Sequence, residues 1–358
     1  MIDKIYKYRP LSDFLFKELL YQEIYFASYD ELNDPLDLFL RIDFSTEDIE
    51  AIEYLIYFVM KTQIYKCFEI NDIPILNKQW LAVYNNKEER KKIINIVFDR
   101  LSLLVKTQSN IWCNDIINIL EDILSKDLTF DSNSFKMEID RLSKKFLKSS
   151  YVSCFSETNN NFLMWSHYSA RHTGICLEFT LLNPMSFPYE VIHKKSMDRE
   201  KYKNRISERE VKSHIYWDKL DKVSYQEEQP YINFYSFAPV FENEHDCDLL
   251  GLSKSWTHKY AFELQSLFSC KTRSWEYENE WRAIEVNFEK QRQPEERIKH
   301  YPIEALTAIY FGINTPQNVK NRIYKIFESK HAKITFYNAK LNGTNSIDFD
   351  YWNYEEEE

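Results

Sequence analysis

The chain has 358 residues, 44% of them hydrophobic and 16% aromatic, and a formal net charge of −10. That length and apolar share are enough for a sizeable core and exclude a disordered chain. The acidic balance excludes a general nucleic-acid coat, which needs surplus Lys and Arg against phosphate.

Ile2–Tyr8 alternates between two faces and reads as an opening strand, ended by Pro10. Ser12 is placed to cap a short helix running through Tyr21, with Phe14, Leu15, Leu19 and Leu20 on one side. Glu23–Ser28 is a second strand, Asp30–Pro35 a turn by composition, and Leu36–Phe44 a third strand. From Ser45 the period changes. Ser45-Thr46-Glu47-Asp48 has the makings of a helix start, and helices are expected at Ile49–Val59, Lys87–Val105, Ile111–Leu124 and Ser134–Leu147. Residues 45–149 therefore read as an all-helical insertion.

Strands resume at Tyr151–Ser156, followed by a short helix at Phe162–Ala170 and strands at Thr173–Thr180 and Glu190–His193. The mixed charges of Lys194–Lys212 read as a solvated helix face, and Gln226–Leu250 as a long polar connection suited to a lid. A helix is expected over Ser255–Cys270. Ala305–Gly312, Gln317–Ser329 and Lys333–Tyr337 form a closing strand–helix–strand unit, and 346–358 an acidic tail. The fold class is α+β: a mixed sheet built from 1–44 and 150–345, interrupted by the helical insertion.

Lys271–Arg282 carries the densest chemistry. Read as a strand, Trp275–Arg282 places Glu276, Glu278, Glu280 and Arg282 on one face and Trp275, Tyr277, Asn279 and Trp281 on the other. Carboxylates so grouped repel one another unless the face is wet, holds a cation or does chemistry. A helix continuing from Tyr260–Ser269 is the alternative, with Glu276 and Glu280 one turn apart.

The four glycines, Gly174, Gly251, Gly312 and Gly343, are too scattered for a P-loop or a dinucleotide-binding fingerprint, so a bound nucleotide would be held by side chains. The six cysteines show no Cys-x-x-Cys spacing, and the N-terminal residues have no apolar signal core. Both features point to a cytoplasmic protein with reduced thiols. The longest apolar run, Tyr54–Met60, is far shorter than the roughly 20 residues of a membrane span. His245-Asp246-Cys247-Asp248 groups metal-ligand types, but consecutive side chains converge poorly on one ion, and no metal is expected. A Cys154–His167 nucleophile pair has no support in the spacing, and a buried thiol is the default.

Several motifs together resemble a bacterial family known as domain of unknown function 2971. They are Tyr8-Arg9-Pro10-Leu11, Tyr25-Phe26-Ala27-Ser28 with Asn33-Asp34-Pro35, Val152–Ser156, Met164–Tyr168, Gly174–Phe179, Lys271 with Trp275 to Arg282, and Ile309–Gly312. The order of Arg on the first strand, Ser on a later one, then Glu-x-Glu also resembles the ADP-ribosyltransferases, which split NAD at the nicotinamide bond. That resemblance implies NAD as substrate, with Arg9 on phosphate, Ser153 or Ser156 on the ribose, and Glu280 as catalytic carboxylate with Glu278 as partner. Tyr25, Tyr168 or Trp281 would stack on nicotinamide, and Tyr8, His167 and Arg282 would complete the binding site. The serine triplet of that family is absent here. A glycosyl transfer from NAD to a protein or nucleic-acid acceptor, or NAD hydrolysis in a bacterial anti-phage or toxin system, is the activity implied. Two alternatives stand beside it. One is a non-catalytic sensor module with the charges buried in pairs. The other is a Mg-dependent nucleic-acid-processing enzyme using Glu278, Glu280 and Asp34 or Glu178.

Overall fold

The computed structural model describes residues 3–34, 37–38, 41–66, 75–124, 128–148, 150–181, 186–192, 213–228, 230–237, 267–286, 291–343 and 346–354. The chain divides into two compact units.

The first unit comprises Met1–Asp37, Ser149–Glu227 and Ser269–Glu358. Its strands are β1 (Lys4–Arg9), β2 (Glu23–Tyr25), β3 (Ala27–Ser28), β4 (Ser150–Ser156), β5 (Ile175–Thr180), β6 (Ser186–Ile192), β7 (Ser213–Lys222), β8 (Ser224–Gln226), β9 (Cys270–Thr272), β10 (Glu280–Val286), β11 (Ile298–His300), β12 (Leu306–Phe311), β13 (Thr335–Leu341) and β14 (Ile347–Tyr351). Its helices are α1 (Asp13–Tyr21), α2 (Phe162–Tyr168) and α3 (Gln317–Glu328). The main sheet runs β14-β13-β12-β5-β1-β4-β10-β7-β6-β11-β2. β3 pairs with β4, and only Phe26 separates β3 from β2, so this part of the sheet curls back on itself. β12 and β13 pair in parallel across α3, as the closing unit requires.

Alternation along the strands sorts the side chains onto two faces. Ile5, Phe155, Leu177, Ala283 and Ile309 share one core with Leu15 and Leu19 of α1 and Ile323 and Phe327 of α3. Tyr8, Cys176, Tyr310 and Ala339 share the other with Met164 and Trp165 of α2. α1 begins where expected, because Ser12 Oγ accepts from the Leu15 amide at 3.2 Å. Gly174 marks a close crossing: a Cβ there would lie 2.1 Å from the Arg9 carbonyl oxygen.

The second unit comprises Leu38–Lys148 and Glu228–Phe268. The helices Ile49–Ile64, Lys78–Asn85, Lys87–Val105, Cys113–Leu124 and Ser132–Lys148 pack about aromatic residues, with Phe44 stacked on Phe234 at 4.6 Å and Phe58 edge-on to Phe135 at 5.9 Å. Its limits differ from the helical segment 45–149. Tyr231–Asn233 pairs in parallel with Arg41–Asp43, which draws the polar connection after residue 228 into this unit. Among the described residues, no helix is long and apolar enough to cross a membrane.

Two further sequence expectations are corrected. Residues 346–354 are not a tail: β14 pairs with β13, and Trp352 is buried against Phe311 and Phe336. Trp275–Arg282 is not one strand. Arg273–Glu278 is a 3₁₀ turn that ends at Asn279 in the left-handed region (φ 44°), and only then does β10 begin. The alternation of acidic and aromatic residues imitates a strand period, but asparagine is among the few residues other than glycine that readily allow the left-handed break. Residues 193–212, which hold the mixed-charge stretch, residues 238–250 of the expected lid with His245–Asp248, and residues 255–266 of the expected helix lie outside the described residues.

Candidate functional site: a buried carboxylate–lysine–arginine cluster

The 3₁₀ turn and the start of β10 carry Glu278 and Glu280 to one place. Four bonds from other elements pin the backbone from Tyr277 to Glu280. Asn161 Nδ2 donates to the Tyr277 carbonyl at 2.9 Å, and Ser156 Oγ to the Glu278 carbonyl at 2.7 Å. The Glu157 amide donates to the Asn279 carbonyl at 2.9 Å, and the Glu280 amide to Tyr225 Oη at 2.9 Å. With the backbone held, Glu278, Glu280 and Arg282 meet Asp37 and Lys271 in a single buried cluster.

Arg282, with no exposed surface, is the cluster's centre. Its Nη1 and Nη2 donate to the two Asp37 oxygens at 2.9 and 2.6 Å, and its Nε and Nη2 to the two Glu280 oxygens at 2.8 and 3.1 Å. The planar guanidinium fork suits two such carboxylates at once. Lys271 Nζ lies 2.7 Å from Glu278, 2.8 Å from Glu280 and 3.2 Å from Asp37. Tyr168 Oη donates to the remaining Glu278 oxygen and accepts from Asn33 Nδ2 at 2.9 Å. Asn33 is exposed, so this chain of bonds runs from the surface to the buried charges.

The two glutamates sit in opposite electrostatic settings. Burial raises the Glu278 carboxyl above its usual range; Lys271 opposes this, and the Glu280 charge adds to it. Burial also works against an ionised Glu280, but Arg282 and Lys271 outweigh it and hold this carboxyl well below its usual range. Glu278 is thus the carboxyl able to carry a proton, and Glu280 a fixed anion.

A cavity of about 70 Å³ opens above Glu278, walled by Tyr6, Tyr8, Met164 and Tyr168 with Asn33 at its rim. It is far below the 300–1,000 Å³ of sites that enclose drug-sized ligands.

Of the residues singled out from sequence, Glu278, Glu280, Ser156, Tyr8, Tyr168 and Arg282 come together here. Ser156 serves the backbone of Glu278, and the Tyr8 hydroxyl donates to the Thr158 carbonyl at 2.9 Å. Arg9 and Ser153 do not join them. Both point to the opposite face of the sheet, where Arg9 pairs with Glu18 of α1 and Ser153 Oγ accepts from Lys7 Nζ at 3.0 Å. Their expected places on phosphate and ribose are therefore not formed. Tyr25 is bonded to Glu31 beneath Arg297, and His167 is exposed beside Tyr277; neither lines the cavity. The Cys154 thiol is pushed up by burial and by Glu280, which disfavours a nucleophilic thiolate. Glu178 lies apart, bonded to Lys4, Thr307 and Tyr310. Asp37, Glu278 and Glu280 already have an ammonium and a guanidinium between them, and the described residues include no group of three or more metal-ligand side chains that could hold an ion. Asp37 belongs to none of the motifs that the sequence singles out. The nearest signal was charge balance, since Lys271 and Arg282 together call for acids beyond one glutamate.

These features define an α+β protein with a charge-compensated polar cluster under a small aromatic cavity. Residues 164–283, which include Met164–Tyr168 of α2, β5 and the Glu278–Arg282 stretch, match the model of the family described as a protein of unknown function (DUF2971). No curated protein and no solved structure matches the chain.

Proposed function

We propose that the cavity is the active site of an enzyme that acts on a small ligand, with Glu278 exchanging a proton and Glu280 supplying a fixed negative charge. One observation carries this reading: two carboxyls, separated only by Asn279, are held in one cluster with opposite proton affinities. Such a split is how paired acids divide the roles of proton carrier and charge stabiliser. Cleavage of a glycosidic bond needs both, because the leaving group takes up a proton while the sugar becomes oxocarbenium-like. NAD is the substrate suggested by the Glu-x-Glu likeness to ADP-ribosyltransferases. Both carboxyls line the cavity, and on this reading Glu278, raised by burial, replaces Glu280 as the reacting carboxyl. Arg9 and Ser153 have no part, and only one end of a dinucleotide enters the cavity.

The test is NAD consumption by the purified full chain, followed by chromatography of nicotinamide. Wild type should release nicotinamide, and Glu278→Gln should reduce the rate by about 100-fold or more, the scale of a lost general acid. Release unaffected by Glu278→Gln removes the assignment. A role in bacterial defence or toxicity would follow if expression of the chain lowers cellular NAD only when Glu278 is intact. The burial of Glu278 and Glu280, 2% and 3% exposed, favours a second reading, a non-catalytic binding module whose charges are structural. Its mark would be saturable ligand binding without turnover.

A further inference from the structure

Among the described residues, the cluster contains three carboxylates, on Asp37, Glu278 and Glu280, and two cations, Lys271 and Arg282. Arg282 is bidentate to both Asp37 and Glu280, so its charge is directed away from Glu278. Lys271 is shared among all three acids. The unmatched negative charge therefore rests on Glu278, which lines the cavity beside Asp37, Lys271 and Glu280. Above it stand the rings of Tyr6, Tyr8 and Tyr168. Aromatic faces attract organic cations, and more strongly as the site becomes drier. Among the described residues lining the cavity, Lys271 alone is cationic, and three carboxylates already share it, which leaves little to attract an anion.

We propose that the cavity receives the positively charged end of a small organic ligand, an alkylammonium or amidinium group, seated on Glu278 and boxed by Tyr6, Tyr8 and Tyr168. This rests on the cavity being the ligand site and names the chemistry of what enters it. The volume fits an end group and not a whole ligand, so the remainder of the molecule lies across the mouth by Asn33. The group supplies the missing positive charge that a proton on Glu278 supplies when the cavity is empty. Binding therefore releases a proton, and affinity rises with pH through the titration of Glu278. The titratable and charged groups facing Glu278 are Lys271 on β9, Tyr168 on α2, Glu280 on β10, Tyr225 on β8 and neighbouring Tyr277. The tyrosines among them are raised by burial above their usual value, so they stay neutral through the range in which Glu278 titrates.

The experiment is calorimetric titration of the full chain with n-butylammonium, n-butanol and n-butyrate as matched probes, at two pH values and in two buffers of different ionisation enthalpy. Butylammonium should bind saturably, at least tenfold more tightly than butanol or butyrate, with proton release and with tighter binding at the higher pH. Glu278→Gln should weaken it at least tenfold, and Tyr168→Phe, which keeps the ring, should weaken it much less. Equal or tighter binding of butanol or butyrate overturns the charge assignment but leaves the cavity as a ligand site if that binding still depends on Glu278. Absence of binding by all three, or butylammonium binding that Glu278→Gln does not change, overturns the proposal outright.

Discussion

Arg282→Met removes the centre of the buried cluster while keeping a side chain of similar length. Arg282 is fully buried and makes four charge-assisted hydrogen bonds, two each to Asp37 and Glu280. After the change, Lys271 is the one cation left in the cluster among the described residues, and the four bonded oxygens lose their Arg282 donors. Breaking a buried ion pair from one side costs about 3–5 kcal/mol, because the abandoned charge stays in a poor solvent. The affected unit has roughly two hundred residues, a size at which each kcal/mol shifts the melting temperature by about 2–4 °C. Its transition should therefore fall by roughly 6–20 °C at neutral pH, read by differential scanning calorimetry of the full chain. Adding Glu280→Gln to Arg282→Met should recover part of the loss, because it deletes one stranded charge. A fall below about 1 kcal/mol, or a double variant worse than the sum of the two single changes, would refute the reasoning that these charges stabilise one another.

Other consequences follow from single groups. Glu278→Gln should alter the pH profile of stability in a defined direction. The folded carboxyl lies above its unfolded value of about 4.3, so its contribution is full below that pH and is lost as pH rises through the folded value. In urea titrations across this window wild type should lose stability relative to the variant, and a constant difference would count against the raised Glu278. Lys7, pushed down to about 8 by burial and then by Arg9, should act at the other end. The unfolded lysine binds its proton up to about 10.4, so wild type should gain stability relative to Lys7→Met between about pH 8 and 10. Gly174→Ala would drive a Cβ to 2.1 Å from the Arg9 carbonyl oxygen, and should cost about 1–3 kcal/mol or more of overpacking. A melting temperature equal to wild type would show that the β1–β5 crossing is looser than described.

Much of the fold was legible because it rests on local patterns. The cap at Ser12 and the helix Lys87–Val105 came directly from side-chain chemistry and period, and the strand about Val152 from its alternation. The site was legible in its residue types and not in its geometry. Glu278, Glu280, Arg282 and Tyr168 drew attention as chemistry, and the structure brings them together. Alternation along β1 already separates Tyr6 and Tyr8 from Lys7 and Arg9. Which of those faces meets Glu280 depends on register between distant strands, such as Tyr6 opposite Ser156, and no local period encodes that. Asp37 is hidden for the same reason: it meets Arg282 across a separation of 245 residues. The 3₁₀ turn is hidden in the sequence because alternating acidic and aromatic residues suit a strand equally well, and the left-handed Asn279 is what distinguishes the two.

The most direct test of the central claim is a pH titration of the side-chain carboxyls of Glu278 and Glu280, observed by carbon NMR of selectively labelled protein and assigned by the two Glu→Gln variants. Glu278 should titrate above the ordinary glutamate range, and Glu280 should stay ionised to the lowest pH at which the chain is folded. Two carboxyls titrating together near the ordinary value would contradict the division of roles on which the proposed activity stands.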